Sequence, residues 1–415
     1  MKLRNSVIAG LVVASLFLPG CENQTATIAK PDDSILNSFQ NTMIAKNNDF
    51  GFNLYRELSS GDENIMISPA SIAMALSMTY NGAQGETKAA MAKVLKIEGD
   101  DIETLNANNL ALLYFLSTAD PKVTLSIANS LWLNQELEFD ANFKNSIEKY
   151  YQASAQEMDF DKSNAAGIIN SWVKKKTQGL ITEIVDSPVD PSSVLFLINA
   201  VYFKGQWTHP FNKDLTTDQT FHTQNGQVVT IPMMYQSGSF EYFRGQDFQT
   251  LRLPYGEEDR LAMVLFLPDE DSSLGQFQSQ LNMENWADWL SSCEKKQGTI
   301  MLPRFTMEYE TSLNQALKNL GMEIAFEGDK ADFTGIVTGD SGKNVFISEV
   351  KHKTFLQVDE AGTEAAAVTS VGITATSIPE YDFELNFNRP FFYAIQDSKT
   401  GAILFMGSVI NPGAE

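Results

Sequence analysis

The side chains of this 415-residue sequence that could carry out chemistry are few and scattered along the chain. Its three histidines, His209, His222 and His352, stand far apart, and no HExxH, CxxC or paired-histidine spacing occurs. Zinc and iron sites need such closely spaced nitrogen and sulfur ligands. We therefore predict no metal site and no cofactor. We also do not expect the protein to be an enzyme, because its motifs that resemble catalytic loops are incomplete.

Two short motifs resemble catalytic or nucleotide-binding loops but lack the residues that would complete them. Gly339-Asp340-Ser341-Gly342 resembles the nucleophile loop of chymotrypsin-like proteases, but no histidine stands in the upstream strand motif which that mechanism needs. Gly342-Lys343 suggests a phosphate loop, yet Val337 stands at its first glycine position and Asn344 at that of the magnesium-binding Ser or Thr. We interpret both as a polar turn, and a hydrolase that uses Ser341 remains an alternative.

The most informative segment runs from Asp359 to Pro390 and reads DEAGTEAAAVTSVGITATSIPEYDFELNFNRP. Small residues dominate it after Glu360, and a surface loop of this length is uncommon and usually functional. Every second residue from Thr363 to Ala375 is uncharged, and none of these residues is both bulky and polar. They are Thr363, Ala365, Ala367, Thr369, Val371, Ile373 and Ala375. We interpret the segment as a stored strand that can join a sheet with its small side chains inward. A flexible Ala/Thr loop with accidental alternation is the alternative.

Hydrophobic patterns predict the elements that must position this loop. Ser68-Pro69 followed by ASIAMALSMTYNG predicts a helix with an N-cap serine, and its small side chains place it in the interior. Further helices are expected around 165–176 and 313–320. Buried strands are predicted from four apolar runs: VLFLINAVYFKGQW, LAMVLFLPDE, TIMLPRF and ILFMGSVINP. This order, helices first and then mostly strands, predicts an α+β fold.

The composition restricts the partners of the protein. The chain has 30 Lys+Arg and 52 Asp+Glu, a net charge of -22, which disfavours nucleic acid and anionic membrane surfaces as partners. Its 43% apolar and 11% aromatic residues can form a large core. We expect a monomer with one globular domain over residues 40–415.

The amino-terminal segment predicts export. Lys2 and Arg4 precede an apolar run that is too short to span a membrane, and Leu18-Pro19-Gly20-Cys21 resembles a bacterial lipobox. The resemblance implies a signal peptide at 1–20, cleavage before Cys21 and acylation of its sulfur. Because Pro19 departs from the usual small or aliphatic residue, an ordinary signal peptide is the alternative.

The mature protein is therefore expected outside the cytoplasm, either secreted or membrane-anchored, with the lipid on Cys21 as its only membrane contact. Residues 21–39 are polar with one proline, and we interpret them as a tether. Cys293 would remain as the second cysteine, and we interpret it as a small buried or half-buried residue rather than a redox centre.

From about residue 40 to Pro412 the sequence resembles the serpin family. The hinge segment Glu360-Ala361-Gly362-Thr363-Glu364-Ala365-Ala366-Ala367 is similar to that of inhibitory members. Three other segments also resemble the family: the shutter helix with Ser68 and Ser71, the strand with Asn199 and the breach tryptophan Trp207, and the neighbouring strand with His352. The resemblance implies helices around a large mixed or antiparallel central sheet, two further sheets, and an exposed reactive-centre loop at about 360–386.

The resemblance also implies suicide inhibition of a serine protease: the protease is acylated by the loop, the freed arm inserts as a strand, and the tethered enzyme is distorted. The hinge glutamate is usually the seventeenth residue before the scissile bond, so counting from Glu360 predicts cleavage at Thr376-Ser377, with Ala375 or Thr374 as alternatives. A small uncharged residue cannot pair with an acidic pocket floor. Elastase-like or subtilisin-like serine proteases are therefore the favoured partners, and trypsin-like ones are disfavoured.

A non-inhibitory serpin that acts as a binding or chaperone-like surface protein is the alternative function. Charged or proline residues at the inward positions of the hinge would indicate such a protein. The inward positions from Thr363 to Ala375 carry neither, which favours the inhibitor.

Overall fold

The computed structural model of the protein describes residues 28–59, 61–339, 344–363 and 380–414. The helices lie mainly in the first half of the chain, as the apolar patterns predict. Within the described ranges they are α1 (Asp33–Asn37), α2 (Asn41–Leu58), α3 (Pro69–Tyr80), α4 (Gly85–Leu95), α5 (Ile102–Ser117), α6 (Ala141–Tyr151), α7 (Ala165–Lys176), α8 (Leu274–Ser279), α9 (Met283–Ser291) and α10 (Asn314–Leu317). None of the helices in this part of the chain is long and apolar enough to cross a membrane.

The strands lie mainly in the second half. They are β1 (Ile65–Ile67), β2 (Val123–Asn134), β3 (Ser154–Met158), β4 (Leu195–Gln206), β5 (Thr217–His222), β6 (Val228–Arg244), β7 (Phe248–Tyr255), β8 (Leu261–Pro268), β9 (Glu294–Pro303), β10 (Phe305–Ser312), β11 (Ile347–Val358), β12 (Gly362–Thr363), β13 (Phe383–Asn386), β14 (Phe391–Asp397) and β15 (Ile403–Val409). The α+β class predicted from the order of elements is confirmed.

The strands form a six-stranded and a nine-stranded sheet. The six-stranded sheet has the order β10-β11-β4-β2-β3, and β12 pairs with β4. The nine-stranded sheet has the order β1-β15-β14-β8-β7-β6-β9-β13, with β5 beside β6. The two further sheets expected from the sequence are joined through β6, because this long strand pairs with β5 and β9 along most of its length and with β7 at its end.

The central pair of the six-stranded sheet is parallel. β4 and β11 are hydrogen-bonded neighbours that run in the same direction, whereas β10 is antiparallel to β11 and β2 is antiparallel to β4. A strand that lay between β4 and β11 and ran in the opposite direction would therefore be antiparallel to both of its neighbours. Antiparallel ladders are slightly more stable per residue than parallel ones.

The interior helix predicted after Ser68 is confirmed as α3, and every one of its residues is buried. Small side chains let it approach its neighbours: a Cβ atom placed on Gly51 of α2 would lie 2.5 Å from the Cβ atom of Pro69. Ser68 occupies the predicted N-cap position, although its side chain makes no capping hydrogen bond.

Two other predicted elements are divided in the structure. The apolar run TIMLPRF forms the end of β9 and the start of β10, which belong to different sheets, and the chain changes sheet at Arg304. The helix expected at 313–320 is regular only in α10, and wider and tighter turns continue it to Phe326. Gly321, with a φ of 110°, interrupts the helical geometry there.

The described part of the predicted tether contacts the domain. The ring of Phe39 packs edge-on against Phe115 of α5 with centroids 5.2 Å apart, and Ile28 also packs against the core. The side-chain oxygen of Asn108 accepts a hydrogen bond from the Gln40 N–H at 2.8 Å. The division of the chain at residue 40 stays a prediction, but α1 and Phe39 contact α5, and Ile28 contacts the core.

Candidate functional site

A row of polar side chains crosses the middle of the six-stranded sheet. Asn129 on β2 lies opposite Asn199 on β4, and Asn199 lies opposite His352 on β11. The amide nitrogen of Asn199 donates to the side-chain oxygen of Asn129 at 2.5 Å, and its oxygen lies 2.5 Å from Nδ1 of His352. All three side chains are buried. We call Asn129, Asn199 and His352 the polar row.

The polar row is attached to the start of α3, which lies beneath the sheet. The Asn199 amide also donates to the hydroxyl oxygen of Ser71 at 2.5 Å. The backbone N–H of Ser68 donates to Nε2 of His352 at 3.2 Å. The structure therefore brings together the four residues expected at the shutter (Ser68, Ser71, Asn199 and His352). β4 and β11 are joined here by the side-chain hydrogen bond between Asn199 and His352.

The hydrogen bonds determine the state of His352. Because Nε2 accepts the Ser68 N–H, the single proton of the neutral ring lies on Nδ1, which donates to Asn199. Burial lowers the pKa of His352 from 6.5 to about 3. A second proton would have to sit on Nε2, where it would face a backbone N–H and leave that donor without an acceptor.

Lowering the pH from 7 to 5 is expected to destabilise the wild-type protein more than a His352→Gln variant. The buried imidazole is neutral, with a pKa lowered to about 3 from 6.5, so below pH 6.5 the unfolded chain binds a proton that the native protein does not. The contribution of His352 to the free energy of unfolding is complete above about pH 6.5 and is lost toward pH 3, by about 1.4 kcal/mol per pH unit.

Urea unfolding of both proteins at several pH values measures this difference. His222→Gln, which alters an exposed histidine, is the matched control and should follow the wild-type pH profile. Parallel profiles for wild type and His352→Gln would contradict the assignment of a neutral, buried imidazole.

A second site lies where β4 ends. Trp207 stacks on Tyr255 with ring centroids 4.3 Å apart and an interplanar angle of 13°. The Trp207 indole N–H donates to the Asp359 carbonyl at 2.9 Å, and the Trp207 backbone N–H donates to the Ala361 carbonyl at 3.0 Å. The Tyr255 hydroxyl lies 3.1 Å from the hydroxyl of Thr363, which is fully buried. We call Trp207, Tyr255 and residues 359–363 the hinge site.

A tight turn at the hinge site redirects the chain from β11 to β12. The Asp359 carboxylate accepts the N–H groups of Ala361 and Gly362 at 2.9 and 3.2 Å. Gly362 then pairs with Gln206, and Thr363 pairs with Gly205, both antiparallel to β4. Gly362 has a φ of 145°, and a Cβ atom there would lie 2.2 Å from the Gly205 carbonyl oxygen, so only glycine fits.

Glu360 is buried at the same turn. Its carboxylate accepts a hydrogen bond from the Thr216 hydroxyl at 2.8 Å and lies 3.7 Å from the Arg304 guanidinium. Its carbonyl accepts the Phe211 N–H at 2.8 Å. The start of the hinge is therefore held by the nine-stranded sheet and its loops as well as by β4.

Sequence reasoning identified some residues of these sites and missed others. Glu360, Gly362, Thr363 and Trp207 come together as expected. Asn129, Tyr255, Asp359, Thr216 and Arg304 were not identified; only Asn129 gave a signal, as a polar residue within the apolar run ANSLWL.

Several predicted residues lie outside the described residues: Ala365, Ala366, Ala367, Thr376 and Ser377 of the loop, Cys21 and Ser341. Their predicted roles stay predictions.

Cys293 is half-buried, as predicted. Its thiol donates to the Trp289 carbonyl at 3.5 Å. Burial raises the pKa of the thiol to about 11, which keeps it protonated at neutral pH and unreactive as a nucleophile.

Comparisons with known proteins agree with this geometry. A family model described as Serpin (serine protease inhibitor) matches residues 45–412. A serpin-like protein of Thermococcus kodakarensis is 37% identical over 370 residues, which cover 88% of this chain and 84% of that protein.

Two solved structures are similar over nearly the whole chain. The thermophilic serpin tengpin, solved in the native state, gives a TM-score of 0.82 at 35% identity, covering 90% of this chain and 95% of that chain. Human thyroxine-binding globulin in complex with its ligand gives a TM-score of 0.82 at 27% identity, covering 92% of this chain and 100% of that chain.

Proposed function

Because the chain belongs to the serpin family, a family of serine protease inhibitors, we propose that it is a suicide inhibitor of elastase-like or subtilisin-like serine proteases. Its loop is cleaved by the target, and the freed arm inserts between β4 and β11. The single observation that carries the proposal is the pairing of Gly362 and Thr363 with the end of β4, beside a parallel β4–β11 pair.

The register of β12 indicates how far insertion could go. Gly362 pairs with Gln206 and Thr363 with Gly205, so an arm that continued antiparallel in this register would bring Ile373 opposite Leu195, where β4 begins. The twelve residues of β4 would then pair with residues 362–373 of the arm. The proposed scissile bond at Thr376-Ser377 lies three residues beyond, at the end that carries the protease.

The two faces of β4 match the alternation of the loop. In this register the inward residues of the arm would lie opposite the β4 residues that belong to the main core, which are Leu195, Leu197, Val201 and Phe203. Thr369 would lie opposite Asn199 in this register, where its hydroxyl could take over a hydrogen bond of the polar row. On the other face Glu364 would lie opposite Lys204, and opposite charges in a cross-strand pair are favourable.

Insertion must first open the polar row. The hydrogen bond between His352 and Asn199 has to break when β4 and β11 separate, together with the parallel ladder around it. The inserted arm then forms two antiparallel ladders in place of one parallel ladder. A dozen added hydrogen bonds at roughly 0.5 to 1.5 kcal/mol each favour the inserted form by about 10 kcal/mol, and buried side chains add to this.

The proposed function is tested by incubating the purified protein with a panel of serine proteases and searching for a complex that survives denaturation. An elastase or subtilisin should give a covalent complex with the mass of the protease plus the cleaved chain. Complete cleavage by every protease without any complex would contradict the proposal and would favour a non-inhibitory protein.

Thr376→Arg is expected to transfer inhibition from elastase-like to trypsin-like enzymes. The residue before the scissile bond fills the primary pocket of the protease, and an acidic pocket floor can bind a guanidinium through two hydrogen bonds. Insertion should tolerate the arginine because residue 376 lies beyond the residues that pair with β4.

Inhibition rates and the mass of the released carboxy-terminal fragment measure the effect of Thr376→Arg. A parent fragment that begins at Ser370 or Gly372 instead of Ser377 would show that the scissile bond has been placed wrongly. Thr374→Arg is the matched control, since it should not confer trypsin inhibition if the bond follows Thr376.

A non-inhibitory binding protein remains the second candidate function. Human thyroxine-binding globulin, whose name states that it binds thyroxine, shares this fold at 27% identity. The buried hydroxyl contact between Thr363 and Tyr255 and the fit of Gly362 against β4 favour the inhibitor, because they indicate a hinge built for insertion.

The location of the protein is a proposal as well. The segment that precedes residue 28 carries the lipobox-like sequence, and a lipid on Cys21 would hold the inhibitor at a membrane surface outside the cytoplasm. Mass spectrometry of the mature amino terminus distinguishes an acylated Cys21 from the product of an ordinary signal peptidase.

A further inference from the structure

A buried carboxylate connects the start of β2 to a turn of the nine-stranded sheet. Asp120, in the connection between α5 and β2, is 4% exposed. It accepts three backbone N–H groups, those of Lys122 at 2.8 Å, Glu257 at 2.7 Å and Glu258 at 2.9 Å. Hydrogen bonds from backbone N–H groups to an ionised carboxylate are among the strong ones in proteins. Asp120 therefore fixes the turn after β7 to the first residues of β2.

The turn is shaped to receive this carboxylate. Gly256 has a φ of 78°, and a Cβ atom there would lie 2.2 Å from Cγ of Asp120. Any other residue would displace the carboxylate from its three donors. The conformation of the turn and the position of Asp120 consequently depend on each other.

The same turn holds the end of β4. The Gly256 N–H donates to the Gln206 carbonyl at 2.8 Å, and the Thr208 hydroxyl donates to the Gly256 carbonyl at 2.9 Å. The residue before Gly256 is Tyr255, which stacks on Trp207 and contacts Thr363. Asp120 is thus one turn away from Tyr255, Trp207 and the end of β4, which contact the hinge, although it touches none of the hinge residues itself.

We propose that Asp120 is a positioning residue for strand insertion, acting through the turn at 255–258 on the end of β4. This inference rests on the proposed function. When β11 separates from β4, the end of β4 must keep its register so that residue 364 and those after it can pair. Asp120 supplies that anchor, because it holds β2 and the turn together on the side of β4 away from β11.

The rate of insertion competes with hydrolysis of the acyl bond, so a less ordered end of β4 should shift the outcome from inhibition to simple cleavage. Asp120→Ala is expected to raise the ratio of cleaved protein to covalent complex at least about fivefold, since three hydrogen bonds to a charged group are lost. Asp120→Asn retains one acceptor oxygen and should give an intermediate ratio. If Asp120→Ala fails to fold, the ratio measured for Asp120→Asn tests the role of Asp120 instead.

The matched control is Lys122→Met. It removes the exposed ion pair between Lys122 and Glu257, which joins the same two segments at 2.8 Å, but keeps every backbone N–H. The ratio should remain that of wild type, because exposed ion pairs contribute little. A ratio for Asp120→Ala that equals that of wild type, or an equal increase in Lys122→Met, would overturn the proposal.

A readout without protease separates this inference from the proposed function. The tryptophan emission of Asp120→Ala should shift to longer wavelength, because Trp207 loses its fixed partner Tyr255, and the shift should vanish in a Trp207→Phe background. Failure of wild type to form any complex would refute the proposed function. An unchanged emission spectrum in Asp120→Ala would refute the role of Asp120 whether or not the wild type inhibits.

Discussion

Replacement of Thr363 by arginine is expected to abolish the covalent complex and to leave a protein that its target protease cleaves as a substrate. Thr363 is fully buried in the native protein, with its hydroxyl 3.1 Å from that of Tyr255. An arginine would have to bury its guanidinium without an acidic partner beside Tyr255 and Gly205, or withdraw from β4. Burial of an unpaired charge costs several kcal/mol, which is enough to make insertion slower than deacylation.

The measurement is the yield of denaturation-resistant complex at a fixed ratio of inhibitor to protease. Thr363→Ser keeps the hydroxyl and should give the wild-type yield of complex. Thr363→Val removes only the hydroxyl and should lower the yield of complex only slightly. An unchanged yield of complex with Thr363→Arg would show that a charge at residue 363 does not block insertion of the arm.

Cleavage of the loop near Thr376 should raise the midpoint of thermal unfolding instead of lowering it. In the intact protein β4 and β11 form a parallel pair at the centre of the six-stranded sheet, while β10 is antiparallel to β11 and β2 is antiparallel to β4. The cleaved arm can insert between β4 and β11. A gain of about 10 kcal/mol in a chain of this size corresponds to an increase of at least about 10 °C.

Calorimetry of intact and cleaved protein measures this increase. Cleaved Thr363→Arg is the matched control, since it has the same nick but a blocked first position, and it should gain much less. If cleaved wild type melted at or below the temperature of the intact protein, the arm would not insert, and the non-inhibitory alternative would be favoured.

The sequence was sufficient to identify the strands that form the centre of the fold. β4, β8 and β15 are buried along nearly their whole length, so their residues are apolar on both faces and appear as continuous runs. α3 was recognisable for a related reason, because a helix that is buried on all sides needs small residues. The run that divides at Arg304 was misjudged as one strand, because apolar buried residues flank the exposed Arg304 on both sides.

The sequence also indicated the hinge, because glycine at a close backbone approach and alternating small residues are local requirements. Local patterns could not indicate the polar row as a unit, since Asn199 and His352 are 153 residues apart, and only the family resemblance placed their strands side by side. Asn129 was missed for the same reason. The role of a polar residue in an apolar strand becomes clear only when the residue opposite it on the neighbouring strand is known.

The amino-acid sequence alone therefore determined the α+β class, the main buried strands and helices, and a loop whose side chains suit a sheet, since burial and conformational freedom act on each residue through its own chemistry. Only the tertiary structure decided that β4 and β11 are parallel neighbours, that Tyr255 receives Thr363, and that Asp120 anchors the turn beside them. The pairing of β4 with β11 depends on backbone N–H and carbonyl groups, which no sequence pattern distinguishes. The contacts of Tyr255 and Asp120 depend on partners that are more than 100 residues away in the sequence. Their partners are selected by the packing of the whole chain.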